Sequence, residues 1–141
     1  MMPYTHKPRS WIAVWCLVGL LSGWYDVLYV CLRPHSLPGG RWHAPFFRPM
    51  EQWAAFDNLY GAQACIQGDT VLSTKTSISC FEVNLHLAYL CQLARPGALR
   101  STLEGRCVTG RFAPQIALCG LLAFVVQTVK QMFYSRFSIP R

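Results

Sequence analysis

Glu82 and His86 stand four residues apart in the run ISCFEVNLHLAYLCQL. On a helix, side chains at that spacing lie one above the other, so a carboxyl and an imidazole can meet and titrate as a coupled pair. Lys75, Ser79 and Tyr89 extend the same line at helical offsets of four and three. The chemistry on offer is general acid–base proton transfer. A plainer role fits the spacing equally: His86 hydrogen-bonds Glu82 and makes the carboxylate tolerable among apolar neighbours. Two more acids, Asp26 in WYDVLYV and Asp57 in AAFDNLYG, are set into apolar surroundings. A charge placed in this way defaults to a functional role, because at mid-bilayer it costs about 2.5–3.5 kcal/mol on insertion scales.

The elements that must carry these groups read as membrane helices. The chain has 141 residues, 52% of them hydrophobic and 13% charged, with mean hydropathy +0.24. Soluble domains carry about 25% charged residues. Residues 11–31 form an apolar run with Asp26 as its only charge, closed by Arg33-Pro34 and the turn SLPGG. At helical rise the run covers roughly 30 Å, the thickness of a bilayer core. A secretory signal is the alternative, with Lys7 and Arg9 ahead of an apolar stretch. No small-residue cleavage site follows, and the apolar character resumes after Ser22-Gly23. Residues 113–134 form a second span, with Lys130 near its end. Residues 70–93 and 50–66 are weaker candidates, the latter short enough to lie in the interface.

Each candidate presents a polar stripe. Asp26 shares a face with Ser22, Tyr29 and Arg33, and Arg33 is its candidate ion-pair partner. Asp57 lies with Trp53, Tyr60 and Gly61, and the last run offers Gln127, Lys130, Gln131 and Tyr134. Lipid does not solvate such groups, so the stripes must face one another. The expected fold is all-α: an integral membrane bundle of four transmembrane helices over residues 11–134, between short tails at 1–10 and 135–141. Both termini then lie on one face; if residues 50–66 stay in the interface, the termini end on opposite faces. The interior is expected to be a shared pocket lined by Asp26, Asp57, Glu82, His86 and aromatic rings, or else a set of groups that satisfy each other and hold the bundle together.

Other classes are disfavoured. The net charge of +7 sits mainly in the connectors around residues 33–49 and 95–111, where loop cations meet anionic headgroups, so no nucleic-acid partner is expected. The seven cysteines show neither zinc-pair nor C-x-x-C spacing and several fall in apolar runs. No metal site, disulfide framework or cofactor is expected.

The order of these acids resembles a family. The sequence fits D-x-x-Y-x-x-x-R-P-x-S-x-x-G-G at Asp26, Tyr29, Arg33, Pro34, Ser36, Gly39 and Gly40. D-x-x-Y-G follows at Asp57, Tyr60 and Gly61, then Glu82 and Leu85, and Lys130 lies in QTVKQMFY. The pattern resembles EXPERA-domain membrane proteins, the superfamily of emopamil-binding protein and the sigma-two receptor, and most closely its fungal-type members. The resemblance implies a helical bundle of the endoplasmic reticulum, in contact with membrane lipids, that holds a lipophilic polycycle (a sterol or a secondary metabolite) in an acidic intramembrane pocket. It implies two activities. In an isomerase-like double-bond shift, Glu82 and His86 serve as acid and base while Asp26 or Asp57, with Trp24 or Trp53, shelters a carbocation. In the alternative, the protein binds its ligand without catalysis. Ligand contacts are then expected from Asp26, Tyr29, Trp53, Asp57, Tyr60, Tyr89 and Lys130. Two positions depart from the pattern: Ser22 replaces a histidine one turn from the first acid, and Ser79 replaces an asparagine three residues before Glu82.

Overall fold

Three long helices carry the architecture. A computed structural model describes residues 5–95, 98, 104, 107–110 and 112–138. Helix α1 spans Ser10–Cys31 and ends where Arg33-Pro34 turns the chain. After a π-type turn at His43–Phe47 come α2 (Arg48–Phe56), a 3-10 turn (Asn58–Tyr60) and α3 (Ala62–Gln67). Helix α4, Thr70–Leu93, starts from Asp69, whose carboxylate accepts from the Val71 and Leu72 N–H groups at 2.7 and 3.4 Å. Helix α5 is Ala113–Ser138. The fold is all-α apart from one short antiparallel clip, β1 (Thr5–His6) against β2 (Val108–Thr109), with Thr5 opposite Thr109.

Helix α4 is central, with α1 and α5 packed on it. Gly23 lies against Val83, Gly19 against His86 and Asp26 beside Lys75, so α1 and α4 run antiparallel. Gly120 meets Tyr89 and Lys130 meets Ser79, so α4 and α5 are antiparallel too. One core cluster, with Cys16, Tyr89 and Ile116, closes the end next to the clip. Another, with Tyr29, Phe47, Tyr60 and Leu72, closes the opposite end.

These directions differ from the expected four-span bundle. Because α1 ends and α4 begins at the same end, residues 32–69 leave and return there. A single crossing by residues 50–66 would have delivered α4 to the other end. The expected helix over those residues is also broken. Asp57 is extended (φ −124°, ψ 102°), and its carboxylate caps the 3-10 turn by accepting from the Leu59 N–H at 3.1 Å. Gly61 is extended as well, so α3 starts afresh. Among the described residues, two helices are long and apolar enough to cross a membrane, Ser10–Cys31 and Ala113–Ser135, with hydropathies of 1.5 and 1.7. Helix α4 matches them in length, but its inner face holds Lys75, Thr76, Ser79, Glu82 and His86, all buried.

The R-P-x-S-x-x-G-G stretch has a structural explanation. The Ser36 hydroxyl donates to the Tyr29 carbonyl at 2.6 Å, and the Trp42 N–H donates to the His35 carbonyl at 2.9 Å. A Cβ on Gly40 would lie 2.2 Å from that same His35 oxygen, so only glycine closes this turn.

Candidate functional site

Two lysine–carboxylate pairs occupy the inner face of α4. Glu82 and Lys130, from α4 and α5, stand 2.5 Å apart, and the Lys130 ammonium also donates to the Ser79 hydroxyl at 3.3 Å. Asp26, on α1, receives a hydrogen bond of 2.6 Å from the Tyr60 hydroxyl and lies 3.6 Å from Lys75 Nζ. Lys75 in turn donates to the Tyr60 hydroxyl and sits over the rings of Tyr60 and Tyr134, at 4.5 and 4.2 Å. Both acids are matched, so the pocket expected to be acidic has no net formal charge.

Asp26, Tyr60, Lys75, Glu82 and Lys130 line one cavity of about 250 Å³, to which α2 adds Met50 and Trp53 and α5 adds Gln127 and Gln131. The Gln127 side-chain oxygen is buried and has no hydrogen-bond partner among the described residues. The sequence stripes on α1, α4 and α5 therefore do converge, and Trp53 joins them as expected.

Other expected site residues lie elsewhere. Glu82 pairs with Lys130 rather than with His86. The His86 ring is fully buried against Gly19 and edge-on to Trp15 at 5.8 Å, and neither ring nitrogen has a hydrogen-bond partner among the described residues. Asp57 spends its carboxylate on the turn cap. Tyr29 is fully buried and donates to the Tyr60 carbonyl at 3.2 Å. Tyr89 belongs to the core cluster beside the clip, and it lines a second cavity there rather than the polar one. Arg33, the expected partner of Asp26, instead donates to the Tyr60 carbonyl at 2.7 Å. Lys75 and Gln127 were visible as members of stripes, but their part in the site depends on which helices adjoin.

A second cavity, of about 420 Å³, continues toward the clip. It is lined by Trp11, Ile12, Trp15, Leu121 and Phe124, with His6 at its edge. Burial pushes the His6 imidazole below its ordinary pKa. Trp15 is one turn from Gly19 of the polar cavity, and Phe124 one turn from Gln127, so the cavities lie end to end between α1 and α5.

One consequence is testable at Tyr60. Tyr60→Phe keeps the ring stacked on Tyr29, at 6.1 Å and 26°, and removes only the hydroxyl shared by Asp26 and Lys75. A loss of about 2 kcal/mol is expected, as for a hydrogen bond to a charged group. Reversible denaturation in micelles measures it, and an unchanged midpoint contradicts the assignment.

Comparison of the chain with protein-family models, curated proteins and solved structures finds no match. The fold and site define a helical bundle with an ion-paired interior and an apolar exterior.

Proposed function

We propose that this is a multi-pass membrane protein that binds one lipophilic polycycle, such as a sterol or a secondary metabolite, between α1 and α5. Two end-to-end cavities, one lined by the ion pairs and the other almost wholly apolar, carry this reading. At about 250 Å³ the polar cavity falls below the roughly 300–1,000 Å³ typical of small-molecule sites. It suits the polar end of a ligand whose apolar body lies against Trp15, Leu121 and Phe124. Gln127 offers that end an unsatisfied acceptor. Binding is favoured over alkene isomerisation because Glu82 is engaged by Lys130 and His86 makes no hydrogen bond. The resemblance to EXPERA proteins adds the endoplasmic reticulum as the membrane.

Membrane residence is supported by what the apolar helices leave uncovered. Only 11% and 17% of the two apolar windows is buried, whereas the core helix of a soluble protein would be mostly covered. Phe56 and Ile66, on the connector, are 89% and 86% exposed. With α1, α4 and α5 crossing and α2–α3 resting at one interface, the termini lie on opposite faces. Epitope tags at the two ends in sealed microsomes test this: one is expected to be protected, and equal accessibility rules the arrangement out.

The ligand site is tested with a fluorescent sterol and Gln127→Leu. The oxygen removed has no partner in the free protein, so stability is expected to hold or rise. Affinity is expected to fall about tenfold for the one hydrogen bond lost, near 1.4 kcal/mol. Absence of sterol binding by the parent protein, or unchanged affinity in the variant, overturns the reading.

A further inference from the structure

The two lysines of the polar cavity are held differently. Lys130 is clamped by Glu82 at 2.5 Å and by Ser79. Lys75 has its nearest carboxylate oxygen, Asp26 Oδ2, at 3.6 Å, beyond hydrogen-bond reach, while the Tyr60 hydroxyl bonds Asp26 Oδ1. Its other contacts among the described residues include that hydroxyl and the faces of Tyr60 and Tyr134. Lysine becomes a nucleophile toward carbonyl groups where it is desolvated or shares a site with a second cation. Lys75 meets both conditions: it is buried, and Lys130 lines the same cavity.

We propose that Lys75 is a covalent anchor that condenses with the aldehyde or ketone of a lipophilic ligand, leaving an iminium opposite Asp26. This rests on the reading of the groove as a ligand site and names the ligand's reactive group. The ammonium first passes a proton to the Tyr60 hydroxyl as that hydroxyl passes its own to Asp26. The neutral amine adds to the carbonyl carbon, forming the C–N bond, and one nitrogen proton moves to the new alkoxide through the Tyr60 hydroxyl. Asp26 returns its proton to the carbinolamine hydroxyl, which leaves as water as the C=N bond forms. An ammonium and a carbonyl have become an iminium and water, with no redox change. Asp26 is again a carboxylate, now facing the iminium charge.

The test is reductive trapping. The full-length protein in mild detergent is incubated with dodecanal and cyanoborohydride, then digested, and the adducts are located by mass spectrometry. The expected result is alkylation at Lys75 at least about tenfold faster than at the exposed Lys7, with Lys130 unmodified. Asp26→Asn is expected to slow the Lys75 adduct by about the same factor, since it removes the proton acceptor. Mapping in the unaltered chain decides the matter even where that variant folds poorly. Preferential labelling of Lys7 or Lys130, or none at Lys75 while the fluorescent sterol still binds, refutes the anchor and leaves the binding site standing. Failure of both sterol binding and trapping removes both.

Discussion

Lys130→Met is expected to destabilise the bundle by about 3–5 kcal/mol, the usual result of removing one partner of a buried ion pair. Glu82 and Lys130 are 3% and 8% exposed, so the carboxylate left behind has little water to turn to. The double variant Glu82→Met/Lys130→Met is expected to recover most of the loss, because two apolar side chains of similar volume replace the pair. Unfolding in mixed micelles, analysed as a double-mutant cycle, gives the coupling directly. Single variants that each lose less than about 1 kcal/mol would show the pair to be solvated, contrary to its placement.

Gly23→Leu should be the next most damaging change, at about 3 kcal/mol, the upper part of the range for overpacking. A Cβ at Gly23 would lie 2.4 Å from Val83 Cγ1, and Val83 is itself buried. The contact is the closest approach of α1 to α4 among the glycines of these helices. Small residues at such crossings let helix backbones pack where lipid supplies no hydrophobic drive. Val83→Ala in the same chain is expected to restore more than half of the loss by making room. If Gly23→Leu unfolds at the parental midpoint, the α1–α4 register described above is incorrect.

The helices were legible because composition alone determines them. The expected 11–31, 70–93 and 113–134 correspond to Ser10–Cys31, Thr70–Leu93 and Ala113–Ser138. The continuous apolar runs at 11–31 and 113–134 leave little choice, whereas 70–93, interrupted by Glu82, Asn84 and His86, was the weaker candidate. Asp57 was ambiguous: the same residue reads as a member of a helical face and as a turn cap, and the cap prevailed. The stripes on α4 and α5 were also readable, since they follow from a period of 3.6 residues. Partner choice was not. Whether Glu82 meets His86, four residues away, or Lys130, on another helix, depends on interhelical register, which no local pattern carries. The same holds for Asp26, for which Arg33 was near in sequence and Lys75 near in space.

The central helix also constrains how the protein can be made. Both interior pairs draw one member from α4, and their partners come from α1, already synthesised, and α5, synthesised last. As α4 leaves the ribosome, Asp26 can already satisfy Lys75, whereas Glu82 still lacks its ammonium. A lone acid at mid-bilayer resists insertion by about 2.5–3.5 kcal/mol. In the proposed membrane arrangement, stable entry of α4 into the hydrocarbon therefore waits for α5, and biogenesis becomes a concerted step. In that arrangement, a nascent chain halted before residue 113 would leave α4 at the membrane surface, exposed to quality control.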